Sequence, residues 1–547
     1  MKLFRAKSVL LVPVLIGMFA RAQSPESFGA LLTPQVRSGK LSPPQHIADY
    51  EKNGKLSISL EDAVRLTLEN NSSIRIQETQ VEAQKFVLLG AHQPFDPLFQ
   101  AIANANRYST PSSSELQGVG QSSSAALNSL SQLGQVNYSE MFKTGTNIVG
   151  TISSTKSSTN SSFNFFNPYF DSTLNFQIAQ PLLRGAGSFV NTAPLVIARR
   201  TLQQSRSSFE AQVNDAIFQV VTQYWAVVQA RGTLQVEQDS LNLAEASYQR
   251  DKRALELGAL PPLDIYRSQS EVAARRLQAI QGEYALKQTE DDLRLTIGAN
   301  QDPTVHALDL DLTEKPEPVG ELESINAEEA LQIALARRPE IDVTSDALAN
   351  DETSIGVAHN GLLPSLSLTG FYQSAGLGGN QYDLNTGALV SKGGFGSSFG
   401  QLAGFGFPGY GASLTLNLPI RNRGAEANLG AALVSRRRDL YTARQTREQI
   451  TLQVNNAVRQ LEEAKMTLEA GKLSYDLAQK SLAAEQRKYE LGAETNFFVL
   501  DAQSRLAQAD LDLLQTQVNY QVARAAVQHA TGDLLEPYHV EINELTK

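Results

Sequence analysis

Glu256-Leu257-Gly258-Ala259 recurs word for word as Glu490-Leu491-Gly492-Ala493, at an offset of 234. Each copy joins two stretches of helical pattern, and its glycine supplies the positive φ that ends a helix in a tight reversal. Ahead of the first turn, Val213, Ile217, Val220, Tyr224 and Val227 are spaced 4-3-4-3. Ahead of the second, Ile450, Val454, Ala457, Leu461 and Ala464 repeat that spacing at an offset of 237. This is the apolar seam of a coiled coil. The pattern predicts long helices over about residues 194–257 and 425–491. At ~1.5 Å per residue such helices are rods of roughly 100 Å. Return helices are expected over about 263–297 and 495–531.

Working outward, the duplication holds. Gln180-Pro181-Leu182-Leu183-Arg184-Gly185 returns as Leu418-Pro419-Ile420-Arg421-Asn422-Arg423-Gly424, with an offset of 238 between the prolines. Ser59-Leu60-Glu61-Asp62-Ala63 returns as Asn326-Ala327-Glu328-Glu329-Ala330, at an offset of 267. Both are helix starts, a capping side chain followed by acids in the first turn. They open helices expected over about 60–91 and 327–360. The offset falls by 29 between these two words, so the first copy carries about 29 extra residues before its Pro-Leu-Leu-Arg. Six segments follow: a leader 1–22, an N-terminal extension 23–58, repeat 1 over 59–298, a linker 299–324 with three prolines, repeat 2 over 325–533, and a tail 534–547.

Strands lie between the opening and the long helices, over about 97–180 and 364–420. Phe99, Ala101, Ala103 and Ala105 alternate with polar residues, as do Leu174, Phe176 and Ile178, Leu366 and Leu368, and Leu414, Leu416 and Leu418. Such alternation marks half-buried strands. Between them, 104–171 and 373–410 are rich in Ser, Asn, Gly and Thr and read largely as loops. The excess hairpin of the first copy is expected at 135–141 and 146–154, around Phe142-Lys143-Thr144-Gly145.

Composition narrows the class. The chain has 547 residues, a formal charge of −10 and no cysteine. Disulfides, thiolate catalysis, Cys-ligated zinc and a lipidated N-terminal cysteine are therefore excluded. The six histidines are scattered, and no nucleotide, nucleophile-elbow or metal motif occurs. Neither cofactor nor metal is expected, and acidity argues against nucleic acid as a partner. Lys2, Arg5 and Lys7, an apolar run from Val9 to Ala20 and Ala20-Arg21-Ala22 read as a secretory leader. Its loss removes four basic and no acidic residues, leaving −14. An exported chain without a long apolar helix is either soluble or a β-barrel, whose alternating strands leave no hydropathy peak.

With its opening Ser-Leu-Glu-Asp-Ala, its Gln-Pro-Leu-Leu-Arg-Gly, its paired Leu-Gly-Ala turns and Val499-Leu500-Asp501-Ala502-Gln503, the chain resembles the TolC-like outer-membrane efflux protein family. The resemblance implies an α+β membrane protein: a homotrimer whose transmembrane β-barrel continues as a long periplasmic coiled-coil barrel. It implies a passive export channel in outer-membrane lipid, partnered by a periplasmic adaptor and an inner-membrane transporter. The rival is a secreted adhesin or structural coiled coil, which the duplicated helix–strand–helix order disfavours. The family's usual four strands per protomer would make twelve. With the excess hairpin in the wall, six per protomer make eighteen; with it folded outside the membrane, twelve remain.

The resemblance also nominates residues. The turns Leu257-Gly258-Ala259 and Leu491-Gly492-Ala493 are expected to dock adaptors. Counted from the tip glycines, Tyr489, Asp501 and Asp264 match family positions that close the periplasmic end. Glu494 and Phe498 depart from the prototype's arginine and aspartate, which removes its Arg–Asp latch. With Phe497 adjacent, closure becomes partly apolar. A threefold ring of Asp501 would favour cations. The plainer role of Asp501 and Asp264 is to sit near the starts of their return helices, where the dipole favours acids.

Overall fold

The computed structural model describes residues 45–114, 117–119, 126–258, 263–301, 308–318, 320, 322–384, 386–491 and 493–538. The expected leader, Ala259 and Gly492, with most of the expected tail, lie outside these residues, as does the side chain of Asp264. The first copy runs β1 (Glu51–Lys52), β2 (Lys55–Ile58), α1 (Leu60–Asn70), α2 (Ser72–Gly90), β3 (Leu98–Pro111), β4 (Ala126–Met141), β5 (Asn147–Thr159), β6 (Phe166–Pro181), α3 (Ser188–Glu256) and α4 (Asp264–Thr296). After β7 (Asp309–Leu312) the second runs α5 (Ala327–Arg337), α6 (Pro339–Gly361), β8 (Ser365–Tyr382), β9 (Leu389–Ser391), α7 (Phe395–Ala403), β10 (Phe407–Asn417), α8 (Arg423–Glu490) and α9 (Asn496–Thr531).

Both opening helices start on the caps seen in the sequence. The Ser59 hydroxyl accepts from the Asp62 amide at 3.1 Å, and the Asp62 carboxylate accepts from the Ser59 amide at 3.1 Å. The Asn326 side chain accepts from the Glu328 amide at 3.0 Å. Each expected single helix is in fact two. Asn71 breaks the first, and Arg338, at the matching place in the second copy, breaks the other, both in extended backbone. Arg338 is held there by Pro339, whose ring disfavours the helical region for its predecessor. Asn71 is held by its own side chain, which accepts from the Ser73 amide at 2.9 Å and caps α2. α3 begins at Ser188, ahead of the expected start, and runs through Pro194 with the loss of one backbone hydrogen bond.

The chain forms two compact units. The helical unit comprises 41–88, 198–351 and 434–547. Its cores are the predicted seams. Val213, Ile217, Val220, Tyr224 and Val227 are fully buried among Val64, Leu66, Leu293, Ile297 and Val518. Ile450, Val454, Ala457, Leu461 and Ala464 are buried with Ala334, Tyr520 and Val527. Trp225 is a packed helix residue, edge-on to Tyr224 at 5.7 Å. A small sheet ordered β1-β2-β7 completes the unit. It corrects the expectation that 299–324 only separates the copies: β7 pairs in parallel with β2, Leu56 opposite Leu310.

The sheet unit comprises 89–197 and 352–433, with strands β3–β6 and β8–β10. Its strands are ordered β10-β8-β6-β5-β4-β3, all antiparallel, with the short β9 beside β8. The excess hairpin is part of this sheet as β4 and β5. It turns at Gly145, φ +85, where a Cβ would also lie 2.5 Å from the Gly185 carbonyl oxygen. The regions read as loops are therefore largely strand, and a helix, α7, stands inside the second of them. Register fixes the faces. Phe99, Tyr138, Gly150, Phe176, Tyr372 and Tyr410 form one cross-strand row. Leu366, Leu368, Leu414, Leu416, Ile152, Leu174 and Ile178 share its face. Asn137, Thr151, Asn175, Gln177, Gln373 and Thr415 share the other, which is mostly polar.

Candidate functional site at the helix tips

The described ones among the predicted site residues lie at the end of α3, the start of α4 and where α8 turns into α9, in the helical unit. The C-terminal end of α3 and the turn are held by Gly258, φ +75, with nothing within 4 Å of where a Cβ would stand. Leu257 and Leu491 are 84% and 71% exposed, and Leu263 is 80% exposed. Leu257 and Leu491 stand at equivalent places in the two copies and are exposed at both tips.

Beneath the turns, cations hold the aromatic residues. The Arg250 guanidinium on α3 lies 5.5 Å over the Tyr489 ring on α8. The Arg267 guanidinium on α4 lies 5.4 Å over the Phe497 ring on α9. Phe497 meets Phe498 edge-on at 5.4 Å. Each cation–ring contact is worth about 0.5–1 kcal/mol at exposed positions. Glu494, at the place of the prototype's arginine, binds Lys488 at 3.1 Å, and Lys488 also binds Glu485 at 2.8 Å. Hydrogen bonds from Glu494 and Lys488 hold the Glu485 carboxyl below the usual range, and both glutamates push the Lys488 ammonium up.

Asp501 is not a bare carboxylate. Its Oδ2 is 2.9 Å from Nε of Arg505, one turn on, and the side chain is 42% exposed. An Arg–Asp pair thus exists at this end of the helices, within one helix rather than across two. Deeper, Arg275 on α4 donates to Ser504 on α9 at 2.8 Å and pairs with Glu271 at 2.8 Å. It borders a cavity of about 20 Å³ lined by Ser240, Leu243, Glu271, Leu500, Gln503 and Ser504. Nearby Glu237 is buried, which raises its carboxyl pKa against the pull of Arg275.

Sequence reading missed the arginines. One signal was available: Arg267 and Asp501 stand at equivalent places in the two copies, related by the same offset as the tip words, so the copies carry opposite charges there. Arg250 and Arg275 carried no such signal. Among the described residues no metal-binding cluster occurs and no helix is long and apolar enough to cross a membrane.

A sheet with one apolar and one polar face, joined in sequence to duplicated long helical hairpins, is the build of an outer-membrane channel protomer. Solved channels share the fold. CusC superposes with a TM-score of 0.62 at 16% identity, over 91% of this chain and 99% of that one. The Campylobacter jejuni channel CmeC gives 0.60 at 16%, over 94% of each. The chain belongs to the outer membrane efflux protein family, whose sequence profile matches residues 147–299 and 330–533. Family membership places it in the outer membrane. Among curated relatives, Pseudomonas putida has a probable efflux pump outer membrane protein, TtgC, 22% identical over 60% of this chain and 62% of its own length. The pyoverdine export outer membrane protein OpmQ of the same species is 26% identical over 61% of this chain and 65% of its own. The chain thus spans less than two thirds of the length of these curated relatives.

Proposed function

We propose that this chain is the outer-membrane conduit of an export system, a passive homotrimeric channel fed by a periplasmic adaptor and an inner-membrane transporter. The observation that carries the reading is the sheet, whose two edges are unpaired among the described residues. β3 and β10 end the strand order. Open edges are not tolerated in hydrocarbon, where every backbone group must be paired. Three copies joined β3 to β10 give a closed wall of eighteen long strands, apolar outside and lined by Asn, Gln, Ser and Thr within. The helical hairpins continue the conduit into the periplasm, and adaptors cover Leu257 and Leu491. Closure at the tips combines the Phe497–Phe498 pair with the Asp501–Arg505 pair.

The test is deletion and complementation. Loss of the chain sensitises cells to an exported compound or blocks a secreted product, and the wild-type chain restores export. Ala493→Trp assembles a heat-modifiable trimer yet fails to restore it. A monomer in outer-membrane extracts would overturn the conduit; restoration by Ala493→Trp would move adaptor docking elsewhere.

A further inference from the structure

Helix α7 is not absorbed by the conduit. It lies on the sheet, against β8 and β6, and its seat is built for backbone contact. A Cβ on Gly376 would stand 2.0 Å from the Ser398 carbonyl oxygen, and one on Gly378 would stand 2.5 Å from that of Gly394. The Ser172 and Ser398 hydroxyls are hydrogen-bonded at 2.8 Å, both buried, and the Ser374 hydroxyl donates to the Leu402 carbonyl at 3.2 Å.

The seat is on the apolar face. Ser172 is opposite Gly376, Leu174 opposite Ser374 and Phe176 opposite Tyr372, without a register shift. Paired residues share a face, as do alternate residues along a strand. α7 therefore lies outside the wall, not in the lumen. Its height follows from the strand. From Leu366 to Gly376 the chain climbs about 33 Å along the strand. At a tilt of about 45° that is about 23 Å, close to the ~25 Å apolar band of such barrels. The Gly376 end is remote from α6, so α7 sits at the outer rim of the band.

Its chemistry fits that level. The stretch from Gly393 to Ile420 contains no Asp, Glu, Lys, Arg or His. Phe395 stacks on Phe399 at 5.5 Å and meets Phe170 edge-on at 6.4 Å. The ammonium of Lys156, opposite Phe170 on the same face, lies 6.0 Å from that ring. An aromatic cluster topped by one lysine is the pattern of a membrane–water boundary, where rings sit at headgroup level and lysine reaches outward. We propose that α7 is an in-plane interfacial helix, docked on the outside of the barrel wall, that inserts Phe395 and Phe399 into the outer-leaflet boundary while Lys156 meets lipid headgroups. The proposal rests on the reading of the sheet as a lipid-facing wall and continues that face upward.

The absence of cysteine makes the test free of background labelling. Phe399→Cys, Ile152→Cys and Thr151→Cys are labelled singly with an environment-sensitive fluorophore in the full-length protein. Each is reconstituted with phospholipids bearing a nitroxide near the headgroup or deep in the chain. An interfacial helix places its probe ~5–10 Å into the boundary. The Phe399→Cys probe is expected to be quenched roughly twofold more by the shallow nitroxide than by the deep one. Ile152→Cys is quenched by the deep one, and Thr151→Cys by neither. With the shallow nitroxide carried on an anionic and then on a zwitterionic phospholipid, Phe399→Cys is quenched more by the anionic one, and Lys156→Gln removes that difference; an unchanged difference refutes the headgroup role of Lys156. If Phe399→Cys is unquenched while Ile152→Cys is quenched, the wall stands and the interfacial helix is refuted. If Ile152→Cys is also unquenched, the wall reading itself fails, and the helix proposal with it.

Discussion

Tyr224→Phe removes one oxygen from the centre of the helical unit. The ring is fully buried, and its hydroxyl donates to the Glu314 carboxylate while accepting from the Glu314 amide at 3.3 Å. Burial, then the Glu314 bond, push the phenol pKa up, so the proton stays on tyrosine. The same carboxylate accepts from the Leu60 amide at 3.0 Å, the first turn of α1. One side chain thus ties α3 to the strand pair β2–β7 and to the start of the first copy. Phenylalanine keeps the packing and loses a hydrogen bond to a charged group, about 2 kcal/mol, or roughly 30-fold in local opening. Hydrogen exchange at the Thr313 amide, which donates to the Ile58 carbonyl at 3.4 Å across the β2–β7 pair, reads this opening directly. Tyr224→Phe should speed exchange there by about that factor and leave α9 amides unchanged. Glu314→Gln should cost less, because a neutral acceptor remains. In the double variant the two effects should not add. Unchanged exchange in Tyr224→Phe, or simple additivity in the double variant, would refute the clamp.

Three further outcomes follow from the same structure. Gly376→Val drives a Cβ into the Ser398 carbonyl, so α7 should leave its seat; protease cutting within 393–404 should rise while trimer yield holds, and an unchanged pattern would contradict the packing. Burial above all raises the carboxyl pKa of Glu210, Glu237, Glu290, Asp346, Asp351 and Asp510. Such groups bind protons more readily folded than unfolded, so their stability is present below the unfolded value near ~4 and is lost as pH rises through the folded values. The urea midpoint of the helical unit should therefore rise from pH 7.5 to pH 5.5, by less in Glu237→Gln; a falling midpoint would exclude these groups as the controlling ones. Asp501→Asn should lower the cation selectivity of single channels in planar bilayers and Arg505→Gln should raise it, the pair being nearly compensated in the wild type; no change in either would remove both from the constriction.

What the sequence made legible was set by period. The seams at Val213–Val227 and Ile450–Ala464 stood out because a repeating 4-3 spacing has no competing explanation over so many turns. The β4–β5 hairpin was legible from its turn and from the shortened offset between the copies. Strand ends were not. β8 continues through Gly376 and Gly378, glycines that read as loop because their purpose, making room for the backbone of α7, lies in another segment. α7 itself, short and carrying Gly396 and Gly400, has poor intrinsic helix propensity and is held by its seat. β7 is a brief Asp-Leu-Asp-Leu whose partner strand stands at the far end of the first copy. At the tips, the exposed leucines came from the repeat and the phenylalanines from the family resemblance, whereas the arginines over the rings depend on how neighbouring helices turn about their axes, which spacing along one helix does not encode.

The pairing of β2 with β7 has a consequence in time. The amide and carbonyl groups of Lys55–Ile58 have no parallel partner until Asp309–Leu312 has been made. Bringing together points so far apart along the chain carries a loop-closure cost in entropy that only the finished first copy reduces, because its helices have by then shortened the loop. At ~5–20 residues per second that is a wait of roughly 10–50 s. Throughout it Leu56 and Ile58, fully buried at the end, are apolar edge positions on an exported nascent chain. An exporting cell has to keep that edge covered, so a periplasmic holdase is expected to meet this chain at β2 rather than at its large sheet.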